Sequence, residues 1–332
     1  MSNSTRDEKS SFGGMYMIAS FAFLGLCDVL VAIIIVSLKK LISQATYIIV
    51  FLLSLTDLFA CINWGLAEGI EAMVFGFSKS TDPADILAMD KFCQWMGAWG
   101  WFWVFASPIG QTLIAANRVM AVFAPTQYNR VFTIRASIRL WIAVVWGATF
   151  IIVFILGGTR LIGSYTVLPT FGICIVDTRL PNWKFAIDTI FIFIPCLVML
   201  SCYVLIYCKI KNTRSVASKA EIRKRARGSK MMFWCFVCFV LCVIPAPIYY
   251  QAAATTGKLN IADEHSLWCY FVLILFGLNY GINIVFYLLF NATFRREAET
   301  LFSSLFTGGI NKIDVTLSVS KPNNSANIPK NG

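Results

Sequence analysis

Few side chains in this 332-residue chain could do chemistry, and most of those lie in apolar surroundings. Asp28 and Asp57 stand inside runs of about 20 apolar residues, where a carboxylate is costly and by default marks a functional position. Asp57, in Ser54-Leu55-Thr56-Asp57-Leu58, is the clearer of the two; its plainer reading is a neutral, hydrogen-bonded carboxyl in a helix contact. Eleven Cys and a single His complete the inventory. Cys27, Cys61, Cys196, Cys202, Cys208, Cys235, Cys238 and Cys242 fall in or at the edge of the apolar runs and read as small hydrophobes. The one Cys-x-x-Cys pair, Cys235 and Cys238, has no second pair to complete a metal framework. No metal-binding His-Glu-x-x-His or nucleophilic Gly-x-Ser-x-Gly pattern occurs, so the sequence does not read as an enzyme.

The elements that must position these groups follow from composition. Hydrophobic residues make up 58% of the chain and charged residues 14%, against about half and a quarter in soluble domains. Seven apolar runs, at 15–38, 46–67, 92–117, 139–157, 184–208, 231–254 and 266–290, are each long enough to cross hydrocarbon as a helix and do not alternate as a spanning strand would. The expectation is an all-α membrane protein, a seven-transmembrane-helix bundle at 15–290. The first fourteen residues lack the basic start of a cleaved signal, so the first run stays as a span. Phe294, Ala298, Leu301, Phe302, Leu305 and Phe306 recur at helical spacing, predicting an amphipathic eighth helix over 291–306 on the inner membrane surface. The tail at 307–332, rich in Ser, Asn, Gly and Pro, reads as disordered.

Net charge is +11, and its placement argues for topology rather than nucleic acid. Twenty Lys and Arg fall on the side of the carboxy terminus and eight on the other. The amino terminus, 1–14, is therefore expected outside the plasma membrane and the carboxy terminus in the cytoplasm. Asn3-Ser4-Thr5 is then a usable glycosylation sequon, while those at Asn291 and Asn323 fall inside and should be silent. The basic run from Lys209 to Lys230 either frames an inner cleft or contacts anionic lipid, and the sequence satisfies both.

Spacing sharpens this picture. Asn117-Arg118-Val119 ends the third span, Pro195 precedes Tyr203 by eight residues in the fifth, and Asn283-Ile284-Val285-Phe286-Tyr287 ends the seventh. Cys93 precedes Arg118 by 25 residues, Phe239 precedes Pro245 by six, Trp146 lies in the fourth span, and Phe294 follows Tyr287 by seven. Over 15–306 the chain resembles a class A, rhodopsin-like G-protein-coupled receptor. It departs from that pattern at Asn117 in place of an acid, Val243 in place of Trp, Ile284 in place of Pro, and Asp28 in place of Asn. These departures, with the run from Asn117 to Pro125 and Tyr128, resemble the nematode serpentine chemoreceptors of the Srx group.

The resemblance implies roles. Arg118 would meet the tail of a heterotrimeric G protein's α subunit, with Tyr203 and Tyr287 swinging in to support it; singly, each is also what an interfacial residue looks like. Cys93 and Cys174 would form the disulfide that ties the outer loop to the third span. Asp57, Ser107, Asn279 and Asn283 match the positions that hold a hydrated sodium ion, although Val243 and the second carboxyl at Asp28 disturb that site. With Asn117 neutral and the sixth span entered through Arg223-Lys224-Arg225, no acid restrains Arg118, which predicts a weakly held resting state. Gly100, 18 residues before Arg118, takes the place of the Asp of amine receptors, so a monoamine ligand is disfavoured. Trp95, Trp99 and Trp103 share one face of the third span, and such a stripe is more often packing or an interfacial belt than a pocket wall. Together with Asp188, Tyr249, Tyr250, Gln251, Trp268 and Tyr270 they are the candidate walls for an extracellular small molecule or peptide. The competing reading is a transporter or channel in which Asp28 and Asp57 line an ion path; the absence of an internal repeat argues against it. The seventh span has no Lys for retinal.

Overall fold

In hydrocarbon, backbone amides must pair within their own segment, so apolar runs of this length become helices. The computed structural model describes residues 3–67, 69, 83–151, 153–154, 165–168, 173–176, 186–212, 233, 236–237, 240–245, 247–248, 271, 274–275, 277–281, 285, 287–289 and 291–306. The helices are α1 (Asn3–Ser37), α2 (Lys39–Ile42), α3 (Ala45–Cys61), α4 (Pro83–Phe123), α5 (Pro125–Val131), α6 (Ile134–Leu140), α7 (Ile194–Asn212) and α8 (Ala292–Phe306). Wider π-helical turns extend α3 through Ile62–Ala67 and α6 through Trp141–Ala148, and lead into α7 over Thr189–Phe193. Described residues at 233–248 and 271–289 are helical apart from a turn at Ile244. The predicted tail at 307–332 and most of the basic run, 213–232, lie outside the described residues.

Four differences from the sequence expectation have physical causes. α1 begins at Asn3 rather than at the membrane boundary near Met15. Once the span has nucleated the helix, each added polar residue needs only one further hydrogen bond. α4 likewise begins at Pro83, whose fixed φ and missing N–H suit a first helical turn. An antiparallel hairpin, β1 (Tyr165–Leu168) with β2 (Ile173–Val176), forms between the fourth and fifth spans, where only a loop was expected. Its strands are rich in β-branched residues, and Pro169 and Gly172 lie between them.

The short helix α5 also lies in a stretch read as a loop. Pro125 opens it, and it meets the α6 segment at a bend of 68°. α6 is then restarted by Thr133, whose hydroxyl accepts from the Ala136 amide at 3.2 Å. A helix, α8, follows the last span over Ala292–Phe306. Its Phe294 and Ala298 are buried while Arg295 and Arg296 are exposed, as the apolar spacing requires.

α4 is the central element, packing against α3, α7 and the hairpin. Pro108 interrupts its hydrogen-bond ladder, and Thr112 Oγ1 donates to the Pro108 carbonyl at 2.8 Å and reaches the Pro195 carbonyl at 3.5 Å, which joins α4 to α7 at their two prolines. At Gly110 the fully buried Trp141 indole lies directly over the backbone; a Cβ there would collide with Trp141 Cη2. Small residues allow such close helix approach in membranes. Gly110→Val should therefore lower the thermal stability of the purified protein, by about 1–3 kcal/mol as for an overpacked core. An unchanged melting temperature would show that the indole yields freely.

Candidate functional site

At the end of the bundle that carries Arg118, the first turn of α3 meets the end of α4. Asn117 is fully buried and hydrogen-bonded on both sides. Thr46 Oγ1 donates to Asn117 Oδ1 at 3.0 Å, Asn117 Nδ2 donates to the Tyr128 hydroxyl at 3.3 Å, and the Thr46 and Tyr128 hydroxyls lie 3.1 Å apart. The amide that replaces the expected acid is thus the centre of a neutral polar triangle joining α3, α4 and α5. Arg118 is half-buried, its Nε lacks a hydrogen-bond partner, and no ion pair holds the guanidinium among the described residues. Tyr203 is buried on α7 with its ring 5.6 Å from Phe236, and Tyr287 lies 5.7 Å from Phe294. Lys209 Nζ sits 5.6 Å above the Phe123 ring, so the ends of α4 and α7 adjoin. Asn283 lies outside the described residues.

Deeper in the bundle the acids come together. Asp28 of α1 and Asp57 of α3 are 2% and 0% exposed and within electrostatic reach of each other. Cys61 is within reach of both, and Tyr280 within reach of Asp57. Ser107 of α4, Asn279 and Val243 are buried too. Among the described residues, Asp28 Oδ2, Ser107 Oγ and Asn279 Oδ1 have no hydrogen-bond partner. Such a set of buried oxygens suits a hard cation or water. Beside it, Trp146 Nε1 donates to Thr56 Oγ1 at 3.2 Å, fixing the fourth span against α3 one residue from Asp57.

Towards the opposite end, Cys93 is fully buried and disulfide-bonded, and β2, which carries Cys174, packs on the same helix. Gly100 faces the interior, where a Cβ would lie 2.9 Å from Trp64 Cζ2 and 3.0 Å from Asn63 Nδ2. Trp64 and Asn63 therefore fill the space beside the position that carries an Asp in amine receptors. Sequence reasoning missed both, although a polar Asn six residues after Asp57 on the same run was a usable signal. Asp188 is buried at the entry to α7, and Phe105 stacks on Phe191 at 4.8 Å.

The tryptophan stripe does not line this interior. Trp95 and Trp99 are 64% and 38% exposed, and Trp99 stacks on Trp103 and packs edge-on against Phe154 at 4.8 Å. Trp103 in turn stacks on Phe59 of α3 at 5.2 Å. With Gly100 turned inward, Trp99 and Trp103 form an aromatic ladder across α3, α4 and the fourth span. Tyr249, Tyr250, Gln251, Trp268 and Tyr270 lie outside the described residues. Asn3 belongs to α1.

Buried acids at mid-bundle, a basic residue at one helix end and a hairpin against the central helix describe a receptor-type helical membrane bundle. The family described as 7 transmembrane receptor (rhodopsin family) matches residues 28–287, and the chain belongs to it. Melatonin receptor type 1B of Rattus norvegicus is 28% identical over 215 residues, 62% of this chain and 57% of that relative, so the chain spans little more than half of the relative's length. The crystal structure of squid rhodopsin superposes with a TM-score of 0.71 at 16% identity, covering 91% of this chain and 87% of that one. The fold is thus the helical seven-transmembrane receptor fold of a multi-pass membrane protein. Its family is one of receptors rather than enzymes.

Two like-charged groups in one buried site oppose each other's ionisation. Asp28→Asn keeps the shape and removes one of them, and should raise the melting temperature of the purified protein by relieving that repulsion. A fall in melting temperature would mean that the Asp28 carboxylate is itself stabilising.

Proposed function

We propose that this chain is a chemosensory receptor of the plasma membrane, coupling an extracellular small molecule or peptide to a heterotrimeric G protein. The observation that carries the reading is the state of Arg118. Its neighbour Asn117 is neutral and held by Thr46 and Tyr128, which leaves the guanidinium without an acid to hold it among the described residues. A guanidinium at a helix end with open donors suits carbonyl and carboxylate groups at a partner's chain end. The chemosensory assignment rests on the departures at Asp28, Asn117, Val243 and Ile284 and on their resemblance to nematode serpentine chemoreceptors. Gly100, at the place where amine receptors carry an Asp, offers no carboxylate to an ammonium ligand.

The same reading orients the chain. The amino terminus and Asn3 are outside, Cys93 pairs with Cys174 there, and α8 lies on the cytoplasmic leaflet with Arg295 and Arg296 towards anionic lipid. Tyr203 and Tyr287 support Arg118 in the active state. Ligand and G protein each favour that state, so each strengthens the other's binding. The unpartnered oxygens near Asp57 fit a sodium ion, which Asp57, Ser107 and Asn279, with Asn283, would hold; it would supply positive charge among the acids and favour the resting packing.

The test is GDP release from purified G protein, with α subunits of each class, by the receptor in lipid nanodiscs exposed to broad chemical mixtures. Release should accelerate with at least one mixture and be lost in Arg118→Leu. Ligand-free release should fall about fivefold or more in Asn117→Asp, which restores an acid beside Arg118. Full activity in Arg118→Leu, or no acceleration with any mixture, would overturn the reading.

A further inference from the structure

Neighbouring residues on a helix point about 100° apart, so two consecutive side chains reach different partners. Thr46 and Tyr47, in the first turn of α3, do so with polar groups. Thr46 joins the triangle with Asn117 and Tyr128. Tyr47 reaches α8: its hydroxyl lies 3.4 Å from Asn291 Oδ1, to which it donates, and accepts from Asn291 Nδ2 at 3.2 Å. Asn291 is the residue before Ala292, and its Oδ1 also accepts from the Phe294 amide at 3.1 Å, so it caps the start of α8. Gln44, which precedes α3, makes no side-chain cap of its own. Two adjacent hydroxyls in the first turn of α3 thus reach two different elements.

We propose that Thr46 and Tyr47 are positioning residues that hold α5 and α8 in one register across the start of α3, so that the two sides of the Arg118 end move together. The peptide unit between them is planar and stiff, and a rotation of that turn that frees one hydroxyl draws the other away from its partner. Tyr128, on the short helix α5, is thereby linked to the Asn291 cap, although neither residue touches the other in the contacts of this site. The capped Asn291 amide is engaged in the fold, which gives a structural reason for the silence of its sequon. The proposal rests on the reading that this end receives a partner only for its use; the coupling is a property of the free chain.

Hydrogen exchange of the full-length protein in nanodiscs, without ligand or G protein, tests it. Thr46→Val, which removes no group touching α8, should speed exchange of the Phe294 and Arg295 amides about fivefold, the factor expected for one net hydrogen bond. Tyr47→Phe should speed exchange in α5 around Tyr128 to a similar degree, and Thr46→Ser should restore slow exchange. If Thr46→Val does not assemble, Tyr128→Phe makes the same test from the half-exposed end of the triangle. Exchange confined to the element that lost its own bond would overturn the proposal, as would a uniform rise that includes α7. Because no partner protein is present, failure of the receptor reading leaves this result intact, and the reverse also holds.

Discussion

Hydrocarbon admits no unpaired backbone, and that single constraint sets what this chain's helices can do with polar groups. Inside the spans, polar side chains survive where other helices enclose them, as Asp28, Asp57, Ser107 and Asn279 are enclosed. Breaks in the helical ladder are met locally, as Thr112 meets Pro108 and Pro195. The receptor architecture follows: an apolar exterior, a thin column of polar atoms through the middle, and exposed charge at the ends.

That column is neutral at the Arg118 end and acidic at its centre. Replacing an acid by Asn117 exchanges an ion pair for a hydrogen-bonded triangle that spans three helices. Placing Asp28 beside Asp57 puts a second carboxyl in the core. The two changes redistribute acidic groups along one axis, since a carboxyl is absent beside Arg118 and a second one is present at mid-bundle. Among the described residues, the Arg118 end is joined by packing and neutral hydrogen bonds rather than by ion pairs.

Much of this was legible in the sequence, and the rest was hidden for definite reasons. Long apolar runs and the spacing of Phe294, Ala298, Leu301 and Phe302 are properties of a single segment, so the spans and α8 could be read directly. Arg118, Asp57 and Cys93 stood out because their types are unexpected in their surroundings or fall at telling offsets. The rotation of a span about its own axis could not be read, because a span that is apolar all round carries little amphipathic signal. Trp99 thus turned outward and Gly100 inward. The close fits of Trp64 on Gly100 and Trp141 on Gly110 depend on which helices meet, as do the partners of Thr46 and Tyr47. The hairpin and α5 are short elements whose local preferences are weak until α4 gives them a surface to pack on.

On the proposed reading, the bundle has two states that differ at the Arg118 end. Pulsed electron-paramagnetic-resonance distances between spin labels at Phe123, on the end of α4, and Phe233, on the sixth span, measure that opening directly in the full-length protein. A longer distance appearing when ligand and nucleotide-free G protein are both bound is the predicted result. A single distance distribution, unchanged by either, would contradict the account.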